Sequence, residues 1–313
     1  MASGEAKAAK AAAQSFKAAV VQMTTSSDHE ENFKIAAGLC EDAEKEGVKL
    51  LCFPECFAFL GLGAEESKAF AQKLSGDMLK RYASLAKKHK LYLSLGGIQE
   101  KVDDGPDKIA NSHVIVDPEG QILCNYRKIH LFDVDVPNGR SFRESSFTVA
   151  GKELVVVKND EVGNLGVSIC YDVRFPEMYA KLRERGAQLL LIPATFAMKT
   201  GMAHWEILLR SRAIENQCYV LAAAQSGKHN AKRYKELKKG PPRESYGNSC
   251  IIDPWGTVIA RASNDSPCLV IAKIDLARVG RMRLAMPVSE HRRPDIYHAT
   301  SAAEKVEGSP AKL

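Results

Sequence analysis

Three reactive side chains stand directly after runs of strand-forming residues: Glu55, Lys128 and Cys170. Residues 164–169 are apolar and β-branched enough for a buried strand, and Pro176 suits the first turn of a helix, where a missing N–H is tolerated. Cys170 therefore falls where a strand ends and a helix is about to begin. There the backbone N–H of Tyr171 is free to face a developing oxyanion, and the helix N-terminus favours negative charge on sulfur. A lone cysteine at a strand end is ordinarily a small buried hydrophobe. An acid and an amine after two other strands set this one apart.

Glu55 lies in Phe53-Pro54-Glu55-Cys56-Phe57-Ala58-Phe59, after a strand over 49–53 that Pro54 stops. Most glutamates at such positions are solvated. The neighbours Phe53, Cys56, Phe57, Phe59 and Leu60 are apolar, so a raised pKa is expected here, suited to a general base near neutral pH. Lys128 lies in Tyr126-Arg127-Lys128-Ile129-His130-Leu131-Phe132. In a cleft beside Glu55 and Cys170 its ammonium would stabilise a thiolate and an oxyanion. Glu144 adds a further acid in the polar loop 139–145.

The elements that must position these groups alternate along the chain. Strands are expected at 16–23, 49–53, 91–97, 109–116, 121–126, 164–169, 188–192, 218–224, 247–253, 257–261 and 268–274. Helices are expected from the capping residue Asp28 to near Gly47, over 74–89 with Ser75 or Asp77 as cap, from Pro176, and over 202–217. Residues 194–201 read as a loop at a strand's C-terminal end, where α/β folds bind ligands. Asp103-Asp104-Gly105-Pro106 and Asp117-Pro118-Glu119-Gly120 read as turns. No linker interrupts 16–274, which argues for one domain over 15–298, with tails at 1–14 and 299–313.

The bulk properties exclude several classes. The chain has 313 residues, 45% hydrophobic and 26% charged, as in a soluble globular protein. Its net charge of +6 suggests mild attraction of anions and no nucleic-acid partner, and no apolar run approaches a membrane span. None of the eight cysteines forms a CxxC pair and no secretory signal is visible, so reduced thiols in the cytoplasm are expected. No metal-ligand spacing is present and the chemistry calls for no cofactor. The basic stretch 228–243 reads as a solvated loop, or else as a positive rim for an anionic substrate. The final Ala311-Lys312-Leu313 is one residue from the Ser-Lys-Leu peroxisomal signal.

Glu after a second strand, Lys in Tyr126-Arg127-Lys128-Ile129-His130-Leu131-Phe132 and Cys in Ile169-Cys170-Tyr171-Asp172 together resemble the carbon–nitrogen hydrolase (nitrilase) superfamily over roughly residues 16–297. Further stretches are similar to its Nit branch: Thr200-Gly201-Met202-Ala203-His204-Trp205-Glu206, Ala222-Ala223-Ala224-Gln225-Ser226-Gly227-Lys228-His229-Asn230 and Asp253-Pro254-Trp255-Gly256. The resemblance implies a four-layer αββα sandwich that dimerises, and a Glu55-Lys128-Cys170 triad with Glu144 supporting the lysine. It places Arg174, Phe196 and Thr200 in the substrate pocket. It implies hydrolysis of an amide such as deaminated glutathione through a Cys thioester. Alternatives are α-ketoglutaramate as substrate, or a catalytically idle scaffold on the same fold. The chain departs from the branch pattern by extra residues at roughly 234–242.

Overall fold

The computed structural model describes residues 15–103, 107–135, 141–263 and 267–297. Both expected tails, the tripeptide at 311–313, Asp104-Gly105-Pro106 and Gly139-Arg140 lie outside the described residues.

Strand β1 (Ser15–Met23) shows how the layers arise. Its side chains alternate with period two: Phe16, Ala18 and Val20 enter one apolar cluster, while Ala19, Val21 and Met23 enter a second on the other face. Strands β2 (Val48–Phe53), β3 (Tyr92–Lys101), β4 (Ile109–Val116) and β5 (Ile122–Arg127) extend that sheet sideways. A short ribbon, β6 (Asp133–Val134) with β7 (Phe142–Arg143), follows. The chain then builds a second sheet from β8 (Val156–Val157), β9 (Leu165–Val167), β10 (Leu189–Leu191) and β11 (Tyr219–Ala222). It crosses back at Ala223: β12 (Ala224–Lys228) and β13 (Glu244–Tyr246) join the first sheet. β14 (Cys250–Ile252) and β15 (Val258–Arg261) complete the second, and β16 (Cys268–Asp275) runs antiparallel along β1.

Helices cover both outer faces. α1 (His29–Lys45) is capped by Asp28, whose carboxylate accepts the N–H groups of Glu30 and Glu31. After the two-turn α2 (Ala64–Phe70), α3 (Asp77–His89) buries Met78, Leu79, Tyr82, Leu85 and Ala86 beside Ala36, Leu39 and Cys40 of α1. On the second sheet, α4 (Pro176–Glu184) supplies Met178, Tyr179 and Leu182, and α5 (Met198–Asn216) supplies Trp205, Leu209 and Ala213. The result is the expected αββα sandwich. Among the described residues no helix is long and apolar enough to cross a membrane.

Several boundaries differ from the sequence reading. α3 starts at Asp77 with Gly76 as its cap, so Ser75 does not serve. α5 starts at Met198, which puts Thr200 inside a helix and not in a loop. The run 218–224 divides between two sheets, a change of partner that local pattern does not encode. Most consequential is Gly96-Gly97. These glycines do not end β3; they form a bulge within it, where the register to β4 shifts between Leu95 and Ile98. Gly97 has φ of +67°, and a Cβ there would lie 2.7 Å from Glu55 Cγ and 2.9 Å from its Cα.

The bulge therefore makes room for Glu55. Gly97→Ala is expected to destabilise by about 1–3 kcal/mol through strain and overlap. Gly38→Ala, in α1 with open space around the added methyl, is expected to stabilise by about 0.5–1 kcal/mol. Denaturant unfolding of the two variants checks the opposite signs.

Candidate active site

Cys170 begins a 3-10 turn, Cys170–Arg174, that separates β9 from α4. Its φ is +47°, a left-handed conformation costing roughly 1–2 kcal/mol for a residue with a side chain. Asp172, wholly buried, holds that turn. Its Oδ2 accepts the Ile169 N–H at 2.8 Å and the Tyr126 hydroxyl at 2.6 Å. Its Oδ1 accepts the His130 N–H at 3.2 Å and pairs with His130 Nδ1 at 2.8 Å. Cys170 N–H donates to the Pro193 carbonyl at 2.8 Å, tying the turn to the end of β10. The sulfur is thus aimed by backbone bonds on both sides and by a carboxylate beneath.

Glu55 reaches the same point from the end of β2. It is 5% exposed. Its carboxylate accepts from Asn111 Nδ2 at 2.9 Å and from Lys128 Nζ at 3.4 Å, in the cleft that Cys170 also lines. Its backbone carbonyl accepts from Thr195 Oγ1 at 3.2 Å and Gln225 Nε2 at 3.0 Å. Lys128, 2% exposed, follows β5. It donates to Glu144 Oε2 at 2.8 Å and Oε1 at 3.1 Å. Glu144 also accepts the Phe132 N–H at 2.7 Å. Asn111 bridges the two acids, giving its amide to Glu144 as well at 3.3 Å.

These contacts set the protonation states. Burial acts most strongly on Glu55 and would raise its pKa. The Lys128 charge, the Cys170 thiol, Arg243 and Asn111 together outweigh it and leave the carboxyl below its ordinary 4.5. The expectation of a raised value is therefore corrected. Of the apolar residues flanking Glu55 in sequence, Phe53 and Phe57 pack against Tyr82 behind the sheet. Lys128 is buried too, yet Glu55 and Glu144 raise its pKa and keep it charged. The Cys170 thiol is pushed well above 9.0, first by burial and then by the Glu55 charge, with Lys128 and the Thr195 N–H opposing. The resting arrangement is a neutral thiol beside an ionised carboxylate and an ammonium.

All eight residues singled out in the sequence line one cleft of about 370 Å³: Glu55, Lys128, Glu144, Cys170, Tyr171, Arg174, Phe196 and Thr200. Arg174 stands over the rings of Tyr171 and Phe196, at 5.8 and 5.5 Å, and contacts His204 Nδ1 at 3.3 Å. Phe196 packs on Trp205. Sequence reasoning missed Asn111, Asp172 and Thr195, and held Arg243 only as part of the basic stretch 228–243 that it offered as a positive rim. Asn111 left one signal, a polar side chain inside a strand-like run. The others are brought in by turns and crossovers. Among the described residues no cluster of three or more His, Cys, Asp or Glu could hold a metal ion.

Residues 17–284 match the family described as carbon-nitrogen hydrolase. The chain is 44% identical over 281 residues to the deaminated glutathione amidase of Bos taurus, covering 89% of this chain and 82% of that one. It is 44% identical over 279 residues to the nitrilase and fragile histidine triad fusion protein NitFhit of Caenorhabditis elegans, covering 89% of this chain and 61% of that one. The chain thus spans about three fifths of the fusion. The crystal structure of that fusion superposes with a TM-score of 0.82 at 43% identity, over 91% of this chain and 66% of the other. Saccharomyces cerevisiae Nit3, described as a member of branch 10 of the nitrilase superfamily, superposes with a TM-score of 0.76 at 31% identity, over 90% of this chain and 97% of its own.

A lowered carboxyl pKa contributes stability that is complete above the unfolded value, here 4.5, and is lost as pH falls through the folded value. A raised Lys128 contributes below 10.5 and is lost only as pH rises through its folded value. Glu55→Gln is therefore expected to flatten the acid limb of a plot of melting temperature against pH below about 4.5. An acid limb as steep as that of the wild type would contradict the ionised resting state of Glu55.

Proposed function

The chain belongs to the carbon–nitrogen hydrolase family, and on that premise we propose that it is an amidase of deaminated glutathione working through a Cys170 thioester. It is a hydrolase of non-peptide carbon–nitrogen bonds. One observation carries the mechanistic reading: Cys170, an ionised Glu55 and the Lys128 ammonium against that carboxylate line one cleft. The substrate reading rests on relatives that bear this activity in their names at 40–45% identity.

In this reading Cys170 Sγ attacks the amide carbon while its proton passes to Glu55. Because the thiol pKa is high and the carboxyl pKa low, this transfer is uphill in the free enzyme. It becomes favourable only as sulfur loses charge to the new bond and the amide oxygen gains it. Lys128 Nζ and the Tyr171 N–H meet that oxyanion; removing one such donor typically costs ~100- to 1000-fold. Glu55 then gives the proton to the departing amine, which is cysteinylglycine for this substrate. The same carboxylate draws a proton from water, which attacks the thioester and returns the thiol. Glu144 keeps Lys128 charged and in place. Arg174, with its planar fork, pairs with a substrate carboxylate, and Phe196 and Thr200 shape the wall beside it.

We place the protein as a cytoplasmic homodimer. The eight free cysteines fit a reducing compartment. Exposed Ile207 and Ile214, on one side of α5, supply apolar surface close to the nucleophile's elements.

Purified protein is expected to release an α-keto acid and cysteinylglycine from deaminated glutathione, with kcat/KM at least about tenfold above that for α-ketoglutaramate. Preference for the latter would make the protein an ω-amidase. Silence on both would favour the idle scaffold. Cys170→Ala should abolish turnover with the unfolding transition retained. Arg174→Ala should raise KM by on the order of tenfold for carboxylate-bearing amides; an equal rise for neutral amides would remove Arg174 from substrate binding.

A further inference from the structure

The inserted stretch that follows Asn230 is not a free loop. It opens with α6 (Ala231–Glu236), and its stem is fixed at several points. The buried His229 joins the Thr25 carbonyl and the Ser245 hydroxyl, each at 2.8 Å. Asn230 accepts the Ser27 N–H at 2.8 Å and donates to the Leu60 carbonyl at 2.7 Å. Arg233 forms a two-pronged pair with Glu66 of α2, both contacts at 2.9 Å. A two-pronged guanidinium–carboxylate pair holds direction as well as distance. The segment is therefore a built wall of the cleft, to which it contributes Tyr234 and Arg243.

Arg243 differs from its basic neighbours. It lines the cleft, and among the described residues no carboxylate pairs with it. Glu66, the nearby acid on α2, is already neutralised by Arg233. The other acids of the cleft, Glu55 and Glu144, are committed to Lys128. Arg243, exposed at the rim, lines the cleft with Glu55 and its charge lowers that carboxyl's pKa, whereas Arg174 lies over Tyr171 and Phe196. The two guanidiniums thus flank the reactive centre from different sides. Arg243 is on the side of Glu55, the group that hands a proton to the departing amine.

We propose that Arg243, held at the rim by the anchored 228–243 segment, binds a carboxylate on the leaving-group half of the substrate, so that the cleft selects amides carrying an anion on each side of the scissile bond. This rests on the amidase reading above and adds a specificity residue to it. Arg174 takes the acyl-side carboxylate and Arg243 the amine-side one. An amide whose amine half is uncharged leaves the Arg243 guanidinium without its partner.

The test compares deaminated glutathione with the same compound bearing a C-terminal glycinamide, on wild type, Arg243→Ala and Arg243→Lys. The wild-type ratio of kcat/KM, acid over amide, is expected to exceed one by on the order of tenfold. Arg243→Ala should bring it near one through KM, and Arg243→Lys should restore part of it. An unchanged ratio in Arg243→Ala overturns the assignment alone. No turnover of either compound by wild type overturns the amidase reading, and this assignment with it.

Discussion

A single buried ammonium shared between two acids governs this structure. Lys128 lies between Glu55 and Glu144, and Glu55 keeps its negative charge in a place with little water. Such a charge is costly unless hydrogen-bonded. The Asn111 amide and the Phe132 N–H meet that need, and Arg243 adds a field from the rim. Burial first, and then the charge on Glu55, keep the nucleophile a thiol. Attack on an amide moves the charge without creating it. The thiol proton neutralises Glu55, and the negative charge appears on the substrate oxygen near Lys128.

The fold answers this constraint by fixing backbone before side chains. Glu55, Lys128 and Cys170 each sit just past the end of a strand, where rigid sheets from both halves of the sandwich converge. Three unusual local features make the convergence fit: the Gly96-Gly97 bulge, the left-handed Cys170, and the crossing of the chain between sheets at Ala223. Gly97 and Cys170 both take a positive φ, and Asp172 holds the turn of Cys170.

Much of this was legible in the sequence, for identifiable reasons. Strand-to-turn boundaries are marked by Pro54, Pro176 and Pro193, so the residues beside them could be placed at strand ends. The strand at 16–23 and the Asp28 cap are local signals and read correctly. The Gly96-Gly97 bulge read as a strand end, because a pair of glycines marks a bend without saying whether pairing resumes beyond it. The pKa of Glu55 was misjudged because sequence neighbours of a residue at a turn are not its spatial neighbours. Asn111, Thr195 and Arg243 come to the cleft from distant parts of the chain, and no spacing within one segment announces them.

The central claim is that the proton rests on sulfur and Glu55 carries the charge. The most direct measurement is the infrared S–H stretch of Cys170 at neutral pH, isolated by subtracting the spectrum of Cys170→Ala. A thiol band that persists at neutral pH and into mild alkali is predicted, with a matching carboxylate signal lost in Glu55→Gln. Absence of the band, with thiolate absorbance in the ultraviolet and a protonated Glu55, would contradict the account.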